Sequence, residues 1–280
     1  MIFCAYTVCR RTFIECGNHC NAGADVTHEW ESLNVSIDGG VGHIILNRPE
    51  VLNALNYTIV LELEKAVRQL GTSARVILLE GAGNHFCAGA DLLYLAGTQK
   101  VGELIAQINA AFFAIERAPI PVVVAVQGYT LAGGFELMQA CDIVFVSDTA
   151  SIGDQHANFG LIPGGGGSQR LPRLVGRQRA LALLLSGDRL NGKEAAAWGL
   201  AYRSVPSAQL HDEALKFARK IALKSREGLQ VMKSLVNRSP EQSLDDSINL
   251  EVEAFQEWIK NEDAQEGLRA FKDKRSPRFK

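Results

Sequence analysis

The chain has 280 residues, 47% of them hydrophobic and 21% charged, enough apolar chain for a large core and incompatible with a disordered or disulfide-stapled miniprotein. A formal net charge of −2 gives no support for a nucleic-acid-binding surface spread over the whole molecule. No stretch approaches the about 18 uncharged apolar residues of a membrane-spanning helix.

Residues 1–27 read as a leader without sustained periodicity, holding Cys4, Cys9, Cys16 and Cys20 around Arg10 and Arg11. These thiols and His19 lack the paired Cys-x2-Cys spacing of structural zinc sites, so no metal is expected. A cleaved targeting segment or a misassigned start is the plainer reading. The body has only Cys87 and Cys141 and reads as a reduced, intracellular protein: cytoplasmic, or of the mitochondrial matrix if the leader is a transit peptide.

From His28 the pattern changes. Residues 33–38 alternate apolar and polar, Gly39-Gly40 supplies a turn, and 42–46 is a second short strand, so a hairpin opens the body. A helix over about 57–70 places Ile59, Leu61, Leu63, Val67 and Leu70 inward and leaves Glu62, Glu64, Lys65 and Arg68 for solvent. A buried strand follows at 75–80, then a helix at about 99–117, closed off by Pro119 and Pro121. The run VVVAV at 122–126 is apolar at every position, as a strand covered on both faces must be. A short helix at 134–140 and a strand at 143–146 complete an α/β pattern, and beyond Gly164–Gly167 the chain is almost wholly helical to its end. Residues 28–205 are expected to form the core, and 206–280 a helical region with amphipathic surface left over for another subunit.

Two glycine-containing turns each precede a short helix: Phe86-Cys87-Ala88-Gly89-Ala90-Asp91-Leu92 and Gly128-Tyr129-Thr130-Leu131-Ala132-Gly133-Gly134-Phe135-Glu136. Each would present free backbone N–H groups. If the turns face each other, two N–H groups can converge on one oxygen and stabilise an enolate or oxyanion.

FCAGADL at 86–92, AVQGYTLAGGFELMQACDIVF at 125–145 and FGLIPGGGGSQRLPRLVG at 159–176 resemble the signature blocks of the crotonase superfamily, the enoyl-CoA hydratases and isomerases. The resemblance runs from about residue 30 to the end. It implies an α/β fold, a spiral of ββα units with a helical C-terminal trimerisation region, assembled as a homotrimer or a dimer of trimers. It further implies an acyl-CoA substrate, coenzyme A being part of that substrate, and no separate cofactor. Ala90 and Gly133 would supply the oxyanion hole. Ala88, Gly89, Asp91 and Leu92 would line the pantetheine channel, and Gly134 would permit close approach of the acyl group. Glu136 falls on the first catalytic glutamate of the hydratases.

The second catalytic position departs from the pattern, with His156 standing four residues before Gly160 where a standard hydratase carries glutamate. Three roles are open to it: acid/base catalysis, binding of a polar acyl group with Asp154 or Asn158 orienting it, or filling a loop. An Asp154-His156 hydrolase pair is disfavoured, since i,i+2 residues rarely face each other and no G-x-S-x-G accompanies them.

Cys87 is expected to pack inward, Asp91 also to cap a following helix, and Gly164–Gly167 to be a flexible turn. Leu93 stands where many family members have lysine. Lys272, Lys274, Arg275, Arg278 and Lys280 would meet CoA phosphates or end in solvent. The leading expectation is hydration of a 2-enoyl-CoA, or the reverse dehydration, with Glu136 as acid/base. The alternatives are isomerisation, thioester hydrolysis or decarboxylation on the same fold, or a non-catalytic CoA- or RNA-binding protein.

Overall fold

The computed structural model describes residues 30–280; the leader, with its cysteines and His19, lies outside the described residues. The elements in chain order are β1 (Leu33–Asp38), β2 (Val41–Leu46), α1 (Tyr57–Ser73), β3 (Val76–Gly81), α2 (Leu92–Gly97), α3 (Val101–Glu116), β4 (Val122–Val126), β5 (Tyr129–Leu131), α4 (Gly133–Ala140), β6 (Ile143–Ser147) and β7 (Ser151–Gly153). They are followed by α5 (Gly167–Val175), α6 (Arg177–Ser186), α7 (Gly192–Trp198), β8 (Arg203–Val205), α8 (Leu210–Ala222), α9 (Arg226–Arg238), α10 (Leu244–Trp258) and α11 (Glu262–Lys272).

The main sheet has six strands in the order β1-β2-β3-β4-β6-β8, antiparallel only at the opening hairpin. Because side chains alternate across a strand, its two faces bury two different sets of residues. One face sends Ile44, Ile77, Leu79, Val122, Val124, Val144 and Val146 into a core shared with α1, α3 and α4. The other sends Val41, Val76, Leu78, Val123, Ala125 and Phe145 against Leu210, Ala214, Ala218 and Ala222 of α8. The i,i+4 repeat of small alanines lets α8 lie close on the strands. This helix, read from the sequence as part of the C-terminal helical region, is thus the second cover of the sheet.

Three strands lie where the sequence shows only turns and helices: β5, β7 and β8. They are three residues each, too short for periodicity to reveal. β5 and β7 pair in parallel as a separate small sheet, and bridges from Cys87 to Thr130 and from Ile152 to Leu190 extend it. Glu62 also departs from expectation: it is buried, and its carboxylate accepts from the backbone N–H groups of Glu31 at 2.8 Å and Ser32 at 2.9 Å. A buried carboxylate so placed satisfies donors at the start of β1 that the hairpin leaves free.

Candidate active site

The small sheet brings the two glycine turns together. Cys87 N–H donates to the Tyr129 carbonyl at 3.1 Å, and Leu131 N–H returns to the Cys87 carbonyl at 3.0 Å. Gly134 is obligatory at this crossing, because a Cβ there would stand 2.1 Å from the Cys87 carbonyl oxygen. A Cβ on Gly133 would lie 3.3 Å from the Ala90 nitrogen, and one on Gly89 3.1 Å from the Gly133 nitrogen. The Ala90 and Gly133 backbones therefore lie close together, and neither N–H has an acceptor among the described residues. Gly133 is the first residue of α4, whose N-terminal end carries partial positive charge.

Ala132, just before it, adopts φ 48° and ψ −117°, a conformation an L side chain rarely takes. Such strain costs on the order of 1–3 kcal/mol, and here it sits at the turn that presents the Gly133 N–H.

Asp91 caps α2, accepting from Tyr94 N–H at 3.1 Å, and pairs with Arg48 at 3.3 Å. Asn53, fully buried, donates to the carbonyls of Ala82 and His85 and so pins the chain entering the first turn. Cys87 is buried, its thiol pushed up to about 12 by desolvation, which keeps it neutral.

A cavity of about 700 Å³ opens beside the turns. Ala88, Ala90, Leu92, Gly133, Glu136 and His156 all line it, within walls that are mainly apolar. Gly89, Asp91 and Gly134 are not in the lining; they hold the turns from behind.

Glu136, 2% exposed, lies one helical turn into α4. Its Oε1 accepts from Gly165 N–H at 2.9 Å and Gly167 N–H at 2.7 Å, while Oε2 has no donor among the described residues. Burial raises its pKa above the ordinary carboxylate value, against the lowering pull of the Gly167 N–H and the His156 charge. The helix N-terminus is thus not the dominant influence on its ionisation.

The four-glycine run is a built cradle and not the flexible turn expected. A Cβ at Gly165 would come 2.7 Å from Glu136 Oε2, one at Gly167 3.1 Å from Oε1, and one at Gly166 2.2 Å from the Arg170 guanidinium. Arg170 in turn donates to the Gly165 carbonyl and to the Glu116 carboxylate, both at 2.5 Å. Sequence reasoning missed Arg170 and Glu116; an arginine three residues after a glycine run, with an acid at the end of the preceding long helix, was the available signal.

His156 and Asp154, read as unlikely to face each other, are bonded. The backbone turns after β7, so that one Asp154 oxygen accepts from the His156 backbone N–H at 3.1 Å and from its Nδ1 at 2.9 Å. The second oxygen lies 3.0 Å from Nδ1, and Asp154 is fully buried. Desolvation lowers the imidazole pKa, but the Asp154 hydrogen bond and charge and the Glu136 charge outweigh it, so the net shift is upward. Arg189, bonded to Gln155 at 3.0 Å, is the other charged group on the cavity wall. Among the described residues no group of three His, Cys, Asp or Glu side chains could share a metal ion.

Leu93 is exposed, and the C-terminal cations Arg275 and Lys280 are engaged with Glu266 and Glu262 of α11.

The site thus joins two neighbouring turns with unpaired N–H groups to a buried glutamate, on a sheet covered by helices. The enoyl-CoA hydratase/isomerase family model matches residues 36–280. A probable enoyl-CoA hydratase of Rhizobium meliloti is 39% identical over 253 residues, covering 90% of this chain and 98% of that protein. The crotonyl-CoA hydratase of Syntrophomonas wolfei is 32% identical, covering 89% of this chain and 98% of its own. The crystal structure of an enoyl-CoA hydratase from Bacillus anthracis superposes with a TM-score of 0.86 at 35% identity, over 89% of this chain and 99% of that one. The chain belongs to the enoyl-CoA hydratase/isomerase family of the crotonase superfamily.

Proposed function

We propose that this protein adds water across the double bond of a 2-enoyl-CoA thioester, and catalyses the reverse dehydration, without a separate cofactor. The observation that carries the reading is the meeting of two unpaired N–H groups, Ala90 and Gly133, with Glu136 and His156 on one apolar cavity. The thioester oxygen would accept from both N–H groups. That withdraws electrons from the alkene and makes the β-carbon electrophilic. Oε2 of ionised Glu136 takes a proton from water as the water oxygen bonds to Cβ, and the alkene electrons move to the thioester oxygen as an enolate. The enolate then re-forms the carbonyl by taking a proton at Cα from Nε2 of protonated His156. Exchange with solvent resets both side chains. Ala88 and Leu92 would flank the thioester arm, with Gly89, Asp91 and Gly134 fixing the backbone behind them.

Assembly as a homotrimer or a dimer of trimers is supported by α10, which has no buried residue and exposes Leu244, Ile248, Val252 and Phe255 along one side. No helix among the described residues is long and apolar enough to cross a membrane.

The test is a panel of enoyl-CoA thioesters followed by product mass. A gain of one water on crotonyl-CoA supports the reading. A shifted double bond, free acid or unchanged substrate across the panel overturns it.

A further inference from the structure

We infer that Asp154 is a positioning residue that holds His156 as an imidazolium with its proton on Nε2, so that the second proton of the hydration is handled by an imidazole–carboxylate pair. The inference rests on the proposed hydration and specifies how His156 serves it.

The geometry leaves His156 one way to stand. Nδ1 lies 2.9 and 3.0 Å from the two Asp154 oxygens, and a carboxylate can only accept, so Nδ1 must carry a proton. Nε2 has no partner among the described residues, and His156 lines the cavity with Glu136. The same Asp154 oxygen accepts the His156 backbone N–H at 3.1 Å, which ties the carboxylate to the chain it orients and restrains the ring's base as well as its tip. The Asp154 carboxylate has no other hydrogen-bond partner among the described residues and is fully buried, so its charge is compensated chiefly by the imidazole.

Of the charged groups around His156, Asp154 from the turn after β7 and Glu136 from α4 act on the ring, and Arg189 from the segment after α6 stands on the same cavity wall. Two are anions, and together they outweigh desolvation in keeping the ring protonated above its ordinary range. A neutral histidine packed in a loop needs none of this. A proton donor to carbon is served by all of it: a fixed tautomer, a free Nε2 and neighbouring anions that favour the charged ring.

The substitution that separates these is Asp154→Asn, whose amide oxygen can still accept from Nδ1 and the backbone while the charge is lost. The expected result is a fall in kcat for crotonyl-CoA hydration of about 10²-fold or more, with KM little changed, and an alkaline limb of kcat/KM moved to lower pH. A purely structural Asp154 would leave that limb in place, which would overturn the inference. Nitrogen-15 NMR of His156 in the unsubstituted protein is the second readout and needs no variant. Titration above the ordinary value of about 6.5, with Nδ1 protonated throughout, supports the inference. Titration at or below that value, or a neutral form with its proton on Nε2, overturns it. Absence of any hydratase turnover would defeat the proposed function, while the NMR titration would still decide whether Asp154 holds the ring.

Discussion

The proposed hydration uses Glu136 ionised, in a place that resists ionisation. Its pKa is raised by burial, so the folded state is favoured by the protonated form and loses that advantage as pH rises through the folded value. Glu136→Gln keeps an oxygen for the Gly165 and Gly167 N–H groups and removes the buried charge. It should lower kcat about 10²–10⁴-fold while raising stability relative to the unsubstituted protein more at pH 7.5 than at pH 5, measured by urea unfolding. The His156 shift is also upward, and its contribution is complete below about 6.5 and lost as pH climbs through the folded value. The proposed hydration route uses Glu136 and His156 both charged. The pH profile of kcat/KM should therefore be a bell, its acid limb above the usual carboxylate value and its alkaline limb above the usual imidazole value. His156→Ala strands the buried Asp154 carboxylate and should cost about 3–5 kcal/mol of stability; His156→Ala with Asp154→Asn should recover part of that loss while activity stays low.

At the scale of elements, the site depends on segments that reach it through one intermediary. Arg170 on α5 draws Gly165 into position through its carbonyl and is itself held by Glu116 at the end of α3. Arg170→Lys cannot fork between the two and should lower kcat about 10²-fold with little change in KM, because Oε1 of Glu136 loses its fixed donors. Gly134→Ala would drive a methyl into the Cys87 carbonyl and part the two turns, so neither hydratase activity nor native thermal stability should survive. α9 secures the rest. Arg226 donates to the Gly71 and Ala74 carbonyls at the end of α1, and Lys233 to that of Ile115 in α3 and to Asp142 at 2.6 Å. Cations at these helix ends add donors to the carbonyls of the closing turns and complement the negative ends of the helices. The boundaries of the long elements were legible in the sequence because 3.6- and 2-residue periods are unmistakable over a dozen residues in α1 and α3, or in an unbroken apolar run such as β4. The three-residue strands β5, β7 and β8 offered no period to read.

For the whole molecule, the α10 stripe is one of several exposed apolar sites: Met232 and Val236 of α9 and Leu268 and Phe271 of α11 are each more than half exposed in the single chain. Water-facing apolar side chains on three consecutive helices are the kind that association buries. Sedimentation should give a trimer or hexamer, and Val252→Asp combined with Phe255→Asp should shift it toward monomer.

The family, the long elements, the two turns and the positions of Glu136 and His156 were determined by the sequence alone, since each follows from local pattern or from motif order. What the tertiary structure decided is how those positions are used. Glu62 turns inward because the start of β1 offers unpaired donors. The four glycines become a cradle because Glu136 and Arg170 approach from α4 and α5, and Asp154 meets His156 because the chain bends after β7. These are contacts between segments, or local turns set by the surrounding packing, and no residue pattern along one segment encodes the partner that another segment brings.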